Sequence, residues 1–177
     1  MKFIIGLICM LGLYQSAFAV TLQSAYGSNL CLDVNRGEQN TWRYDTNLEV
    51  WPCHGGENQQ FNLQPHTVSG VSTIFTIQAL GRCVDVDMGF VEDWTHQTNL
   101  QLYNCNGGIN QQYRLQPVGG GWFSIVSMMD GRCLDIDLNT ANGWRYERNV
   151  HLWNCNGGSN QRWRFDTSHG NGDIIFQ

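Results

Sequence analysis

The chain has 177 residues, a net charge of −5, 42% apolar residues and only 14% charged ones, with one lysine, Lys2. That length suits one domain around one buried core, two at most, and so few charges among so many Asn and Gln exclude a disordered charged tail. An acidic balance without any basic run excludes nucleic acid and an anionic membrane as natural partners, and the lack of a second lysine removes Schiff-base chemistry and a phosphate-loop lysine.

Residues 1–19 read as a signal peptide. Lys2 is the positive end, Phe3–Leu13 the apolar run, and Ala17-Phe18-Ala19 a small-x-small cleavage site, so cleavage is expected after Ala19. The run is too short to span a bilayer and no later run approaches 18 apolar residues, so no membrane insertion is expected. The expected location is secreted or extracellular, or periplasmic in a bacterium. The chain holds no Asn-x-Ser/Thr sequon, so N-glycosylation is not expected.

From Val20 onward one unit recurs three times, over about 20–66, 67–117 and 118–177. The first copy opens on Cys31-Leu-Asp-Val, carries Trp42 and Asn47, returns through Glu49-Val-Trp-Pro-Cys53, and closes on a Gly pair and Asn58-Gln59-Gln60-Phe61. The second runs Cys83-Val-Asp-Val, Trp94, Asn99, Gln101-Leu-Tyr-Asn-Cys105 and Asn110-Gln111-Gln112-Tyr113. The third runs Cys133-Leu-Asp-Ile, Trp144, Asn149, His151-Leu-Trp-Asn-Cys155 and Asn160-Gln161-Arg162-Trp163. Six cysteines allow 15 pairings. The common separation of 22 residues selects Cys31–Cys53, Cys83–Cys105 and Cys133–Cys155, each stabilising by about 3 kcal/mol in an oxidising compartment. Zinc is the competing use of cysteine, and it fails for want of a Cys-x-x-Cys pair or a Cys/His cluster.

The local period is two. Leu32 and Val34 alternate with Asp33 and Asn35, and Thr73–Ala79 and Trp122–Val126 are rich in β-branched and aromatic residues. With turn signals every 8–12 residues the expected class is all-β. Three units are too few to close a propeller, so a threefold barrel of twelve short strands fits best.

Each unit also contains what a sugar needs. An aromatic can stack on the C–H face of a pyranose, a carboxylate can accept from two vicinal hydroxyls, and an amide both donates and accepts. The sets are Asp33/Trp51/Asn58, Asp85/Tyr103/Asn110 and Asp135/Trp153/Asn160. Trp51, Tyr103 and Trp153 alternate with Val50, Leu102 and Leu152 and so should face away from the core. Phe61, Tyr113 and Trp163 are expected in the core near the pseudo-threefold axis, with Gln59, Gln111 and Gln161 holding their loops.

In these motifs, over the whole chain after the signal peptide, the sequence resembles the ricin B-type lectin family, the Gln-x-Trp β-trefoils. Phe61 and Tyr113 depart from its tryptophan. The resemblance implies a β-trefoil, four strands to each repeat, and a lectin for galactose or N-acetylgalactosamine with up to three sites. It implies that the Asp, the aromatic and the Asn line each pocket, together with a polar residue four before the second cysteine. Gln101 matches that last position, whereas Glu49 and His151 depart from it. Trp42, Trp94 and Trp144 lie outside the motif, and each is a candidate pocket rim against the plainer role of pinning a long loop.

No cofactor or metal is expected. Asp85-x-Asp87 and Asp135-x-Asp137 suggest calcium, but Asn35 breaks the pattern in the first repeat. No catalytic motif is present, and three near-equal copies suit binding better than an asymmetric acid/base pair, so no enzyme is expected. The expected partners are glycans of glycoproteins, glycolipids or polysaccharides. The alternatives are the glycan-targeting subunit of a multi-component exported toxin, with a toxin or enzyme partner chain, and a trefoil protease inhibitor or structural protein without sugar binding.

Overall fold

The computed structural model of the chain describes residues 19–37, 45–66 and 74–166. The apolar run Phe3–Leu13, Trp42 and Thr73 lie outside the described residues.

Among the described residues twelve strands form in chain order: β1 (Ala19–Ser24), β2 (Leu30–Val34), β3 (Leu48–Pro52), β4 (Phe61–His66), β5 (Ile74–Ala79), β6 (Arg82–Val86), β7 (Leu100–Tyr103), β8 (Tyr113–Gly119), β9 (Trp122–Ser127), β10 (Cys133–Ile136), β11 (Val150–Trp153) and β12 (Trp163–Asp166). All pairings are antiparallel. Six strands close a ring in the order β1-β4-β5-β8-β9-β12 and back to β1. The other six form three hairpins, β2–β3, β6–β7 and β10–β11. A closed ring leaves its strands no free edge, and four strands per repeat make the β-trefoil. β8 runs through Val118 to Gly119, two residues past the repeat boundary expected at 117, because Gly119, Gly120 and Gly121 all take positive φ and turn the chain only there.

Period-two patterning builds the core. Leu32 and Val34, Val84 and Val86, and Leu134 and Ile136 are buried from one hairpin arm, and Leu48 and Val50, Leu100 and Leu102, and Val150 and Leu152 from the other. Burying each such side chain favours folding by about 1.5–3 kcal/mol. Phe61, Tyr113 and Trp163 are fully buried in the same cluster. The Tyr113 hydroxyl donates to the Val84 carbonyl and the Trp163 indole N–H to the Leu134 carbonyl, both at 3.3 Å. Tyr can therefore replace Trp here, since both reach the carbonyl after the first cysteine. All three expected disulfides are present, with Cα atoms 5.1 Å apart in each.

The hairpins interlock around the axis. Val50, Leu102 and Leu152 each donate a backbone hydrogen bond across a repeat boundary, to the carbonyls of Arg148, Thr46 and Thr98. Beside these contacts lies a ring of buried amides. Asn99 donates to Asn47 at 2.9 Å, Asn47 to Asn149 at 2.9 Å and Asn149 to Asn99 at 3.0 Å. The repeated Asn of the sequence is thus a polar pin through the axis, each amide both donor and acceptor.

Candidate functional site

Each candidate site is built on one hairpin. Strand register sets Asp33 opposite Glu49, Asp85 opposite Gln101 and Asp135 opposite His151. Two residues on, Trp51, Tyr103 and Trp153 lie opposite the first cysteine of each repeat. The carboxylate and the aromatic are therefore diagonal neighbours on one sheet face, within reach of one small ligand.

The three Asp side chains are almost wholly buried although they point away from the core. The loop after the second cysteine covers them, ending in the 3₁₀ turns Glu57–Gln59, Ile109–Gln111 and Ser159–Gln161. Gln59, Gln111 and Gln161 each donate to their Asp and to a carbonyl at the end of the return strand, and accept a backbone N–H from the loop. These glutamines hold the loop. Asn58, Asn110 and Asn160 donate to the same carboxylates at 2.8–2.9 Å. The second glycine of each pair makes room for that Asn: a Cβ on Gly108 or Gly158 would fall 2.5 Å from its Oδ1. The first glycine takes φ of 69–73°, a conformation other residues rarely adopt.

Repeat 3 has an open cavity of about 420 Å³ lined by Asp135, Asp137, Asn142, His151, Trp153 and Asn160, among others. Carboxylate Oδ1 of Asp135 accepts from His151 Nε2 at 3.2 Å, which fixes the proton on that nitrogen. The His151 ring lies nearly parallel to Trp153, with centroids 5.7 Å apart. Repeat 2 has a cavity of about 270 Å³ that includes Asp85, Asp87, Gln101, Tyr103 and Asn110. Burial, above all, raises the Asp85 pKa, with the nearby Asp87 charge adding to it against hydrogen bonds from Gln111, Gln101 and Asn110. Trp153 and Tyr103 are 56% and 54% exposed, so both aromatic platforms are free to stack.

Repeat 1 is different. Glu49 is buried, and Arg148 from repeat 3 donates to both of its oxygens at 2.7 and 3.3 Å. The same guanidinium lies over the Trp51 ring, 4.7 Å from its centroid. Asp33 meets His54 at 3.4 Å. Burial drives the Asp33 pKa up to about 6, and the Glu49 charge adds to the rise. Two of the four groups expected to meet a sugar in this repeat are thus engaged by an arginine. The departure of Glu49 from the motif thus coincides with a different set of contacts in this repeat. At the position of Arg148, seven before the second cysteine, repeats 1 and 2 carry Thr46 and Thr98. That break in symmetry was visible in the sequence.

Trp94, a candidate for either a pocket rim or a loop pin, makes a contact of the second kind. Its ring packs under Arg145, 4.0 Å from the centroid, and it does not line the two cavities of repeat 2. That contact pins one repeat's loop to the next. Trp144 lies in the 3₁₀ segment Thr140–Arg145, and Trp42 lies outside the described residues. Asn106 and Asn156, directly after the second cysteine, line the cavities and escaped the sequence reading; repeat 1 has His54 there. Among the described residues no group of three or more His, Cys, Asp or Glu is placed to hold a metal.

A family model, the ricin-type beta-trefoil lectin domain, matches residues 18–163. No curated protein matches the chain. Among solved structures the chain is similar to ThreeFoil, a designed threefold-symmetric protein, at 28% identity and a TM-score of 0.61, over 83% of this chain and 96% of that one. It is similar at 25% identity and a TM-score of 0.61 to an exo-β-1,3-galactanase from Clostridium thermocellum, covering 86% of this chain but only 30% of the enzyme. The cytolethal distending toxin of Haemophilus ducreyi, at 20% identity and a TM-score of 0.57 over 88% of this chain and 86% of that one, shares the fold.

Proposed function

The chain belongs to the ricin-type beta-trefoil lectin domain family, and from that premise we propose that it is an exported, non-catalytic lectin for galactose-type sugars, galactose or N-acetylgalactosamine. The observation that carries the reading is the same arrangement in repeats 2 and 3: a buried carboxylate oriented by Asn and Gln, an exposed aromatic beside it, and an open cavity over both. An axial 4-hydroxyl leaves one continuous C–H face on galactose. That face stacks on Trp153 or Tyr103, while the 3- and 4-hydroxyls donate to Asp135 or Asp85. Each carboxylate has about four acceptor positions; Asn, Gln and a third donor, Gln101 on Asp85 or His151 on Asp135, take three of them, so one hydroxyl takes the free position and the second takes that of Gln101 or His151. Such a shallow site should bind with a dissociation constant of about 0.1–1 mM, equivalent to about 4–5.5 kcal/mol. Two sites on one rigid barrel add avidity on clustered glycans.

The test is a glycan array probed with Val20–Gln177, its disulfides intact, with free galactose as competitor. Galactose-inhibited binding is expected. Silence from a well-folded sample overturns the reading.

Repeat 1 should not take galactose in the native chain, because Arg148 holds both Glu49 and Trp51. The double variant E49Q/R148T gives this repeat the Gln of repeat 2 and, across the seam, a Thr in the place that Thr46 takes beside repeat 2. In an NMR titration with galactose, the Trp153 indole N–H signal should shift in the native chain and the Trp51 signal should not. In the double variant both should shift. A Trp51 shift in the native chain would show that Arg148 does not close the repeat.

A further inference from the structure

The loop joining β6 to β7 carries Phe90, 83% exposed, and Val91, 79% exposed. This loop is tied down by its own hydrogen bonds. Asp87 Oδ1 accepts from Gly89 N at 2.8 Å, Asp93 N donates to the Phe90 carbonyl at 3.1 Å, Asp93 Oδ1 accepts from Thr95 N at 3.1 Å, and Gln97 N donates to the Asp87 carbonyl at 2.7 Å. Phe90 is therefore held out in water by a built loop. Behind it lies a second cavity of about 380 Å³, lined by Asp87, Gly89, Phe90, Asp93, Thr95 and Gln101. It shares Asp87, Gly89 and Gln101 with the galactose cavity of repeat 2. The two cavities are therefore neighbours. A Cβ on the shared Gly89 would fall 2.9 Å from Asp87 Oδ1, so glycine keeps the loop turn intact there.

We infer that this second cavity is a subsite for the next sugar of a glycan whose terminal residue sits against Asp85 and Tyr103, with Phe90 as its stacking platform. The inference rests on the galactose reading of repeat 2 and extends it: this repeat reads a disaccharide. An exposed aromatic beside carboxylates and a hydroxyl matches a ligand with one C–H face and a rim of hydroxyl donors. The same surface is poorly suited to an anionic bilayer, since Asp87, Glu92 and Asp93 flank the apolar tip along the chain. The position of Phe90 is Glu38 in repeat 1 and Thr140 in repeat 3, so the extended subsite belongs to repeat 2.

The experiment uses the full mature chain carrying D33N and D135N, so that repeat 2 alone is read. Its probes are galactose, lactose and Galβ1-3GalNAc, measured by NMR titration, with and without Phe90→Ala. At least one disaccharide should bind about fivefold or more tighter than galactose. Phe90→Ala should remove that gain and leave galactose affinity and melting temperature unchanged, as suits a side chain in solvent. Equal weakening for all probes, or no change for any, overturns the subsite. A Phe90-dependent association with phosphatidylserine vesicles, in place of the disaccharide gain, assigns the loop to membranes and also overturns it. If galactose itself does not bind while the barrel is folded, the site reading falls first and the subsite with it.

Discussion

Replacing Asp85 and Asp135 together by Asn is expected to abolish galactose binding while leaving the barrel folded. In the proposed mode each carboxylate accepts from two sugar hydroxyls, one at its free position and one in place of Gln101 or His151, and hydrogen bonds to a charged partner contribute about 1.5–3 kcal/mol each. Losing the charge should therefore weaken each site by about 100-fold or more, which at millimolar affinity is indistinguishable from no binding. Stability should change little. Burial already disfavours the charged form of Asp85, and Asn keeps an oxygen to accept from the Gln111 and Gln161 amides. Retention on immobilised galactose measures the first effect, and a thermal melt the second. A double variant that still binds galactose would remove Asp85 and Asp135 from the site.

The largest expected loss of stability comes from the axis, far from any sugar. Asn99→Leu would remove one member of the amide ring and leave Asn47 Oδ1 and the Asn149 amide without the partners they have now. Each buried polar group left unsatisfied costs about 1–3 kcal/mol, giving a total of about 2–6 kcal/mol. For a domain of this size that corresponds to a melting temperature lowered by about 10 °C. A fall of under about 2 °C would mean that the ring adds nothing beyond the hydrophobic packing around it. Sugar binding by the folded fraction should be unaffected, which separates this variant from the Asp substitutions.

Much of the molecule was legible along the chain. Triplicate spacing identified the repeats and the disulfides, because equal loops carry equal cross-links. Alternation placed Leu32, Val34 and their counterparts in the core and Trp51, Tyr103 and Trp153 on the other face, because side-chain direction in a strand follows a period of two. Asp, aromatic and Asn were recognisable as a set because each repeat carries them in the same order.

The tertiary structure alone decided what these residues touch. Asp33, Asp85 and Asp135 face outward by alternation yet are buried, since a loop some 25 residues away in sequence folds back over them. Arg148 closes repeat 1 although it belongs to repeat 3, and Trp94 meets Arg145 across another boundary. Asn47, Asn99 and Asn149 meet only at the axis. Periodicity reports the direction of a side chain within its own strand. Contacts between repeats depend on how three hairpins close around one axis and on how far a long side chain reaches across the seam, and neither distance is written in the spacing of any single repeat.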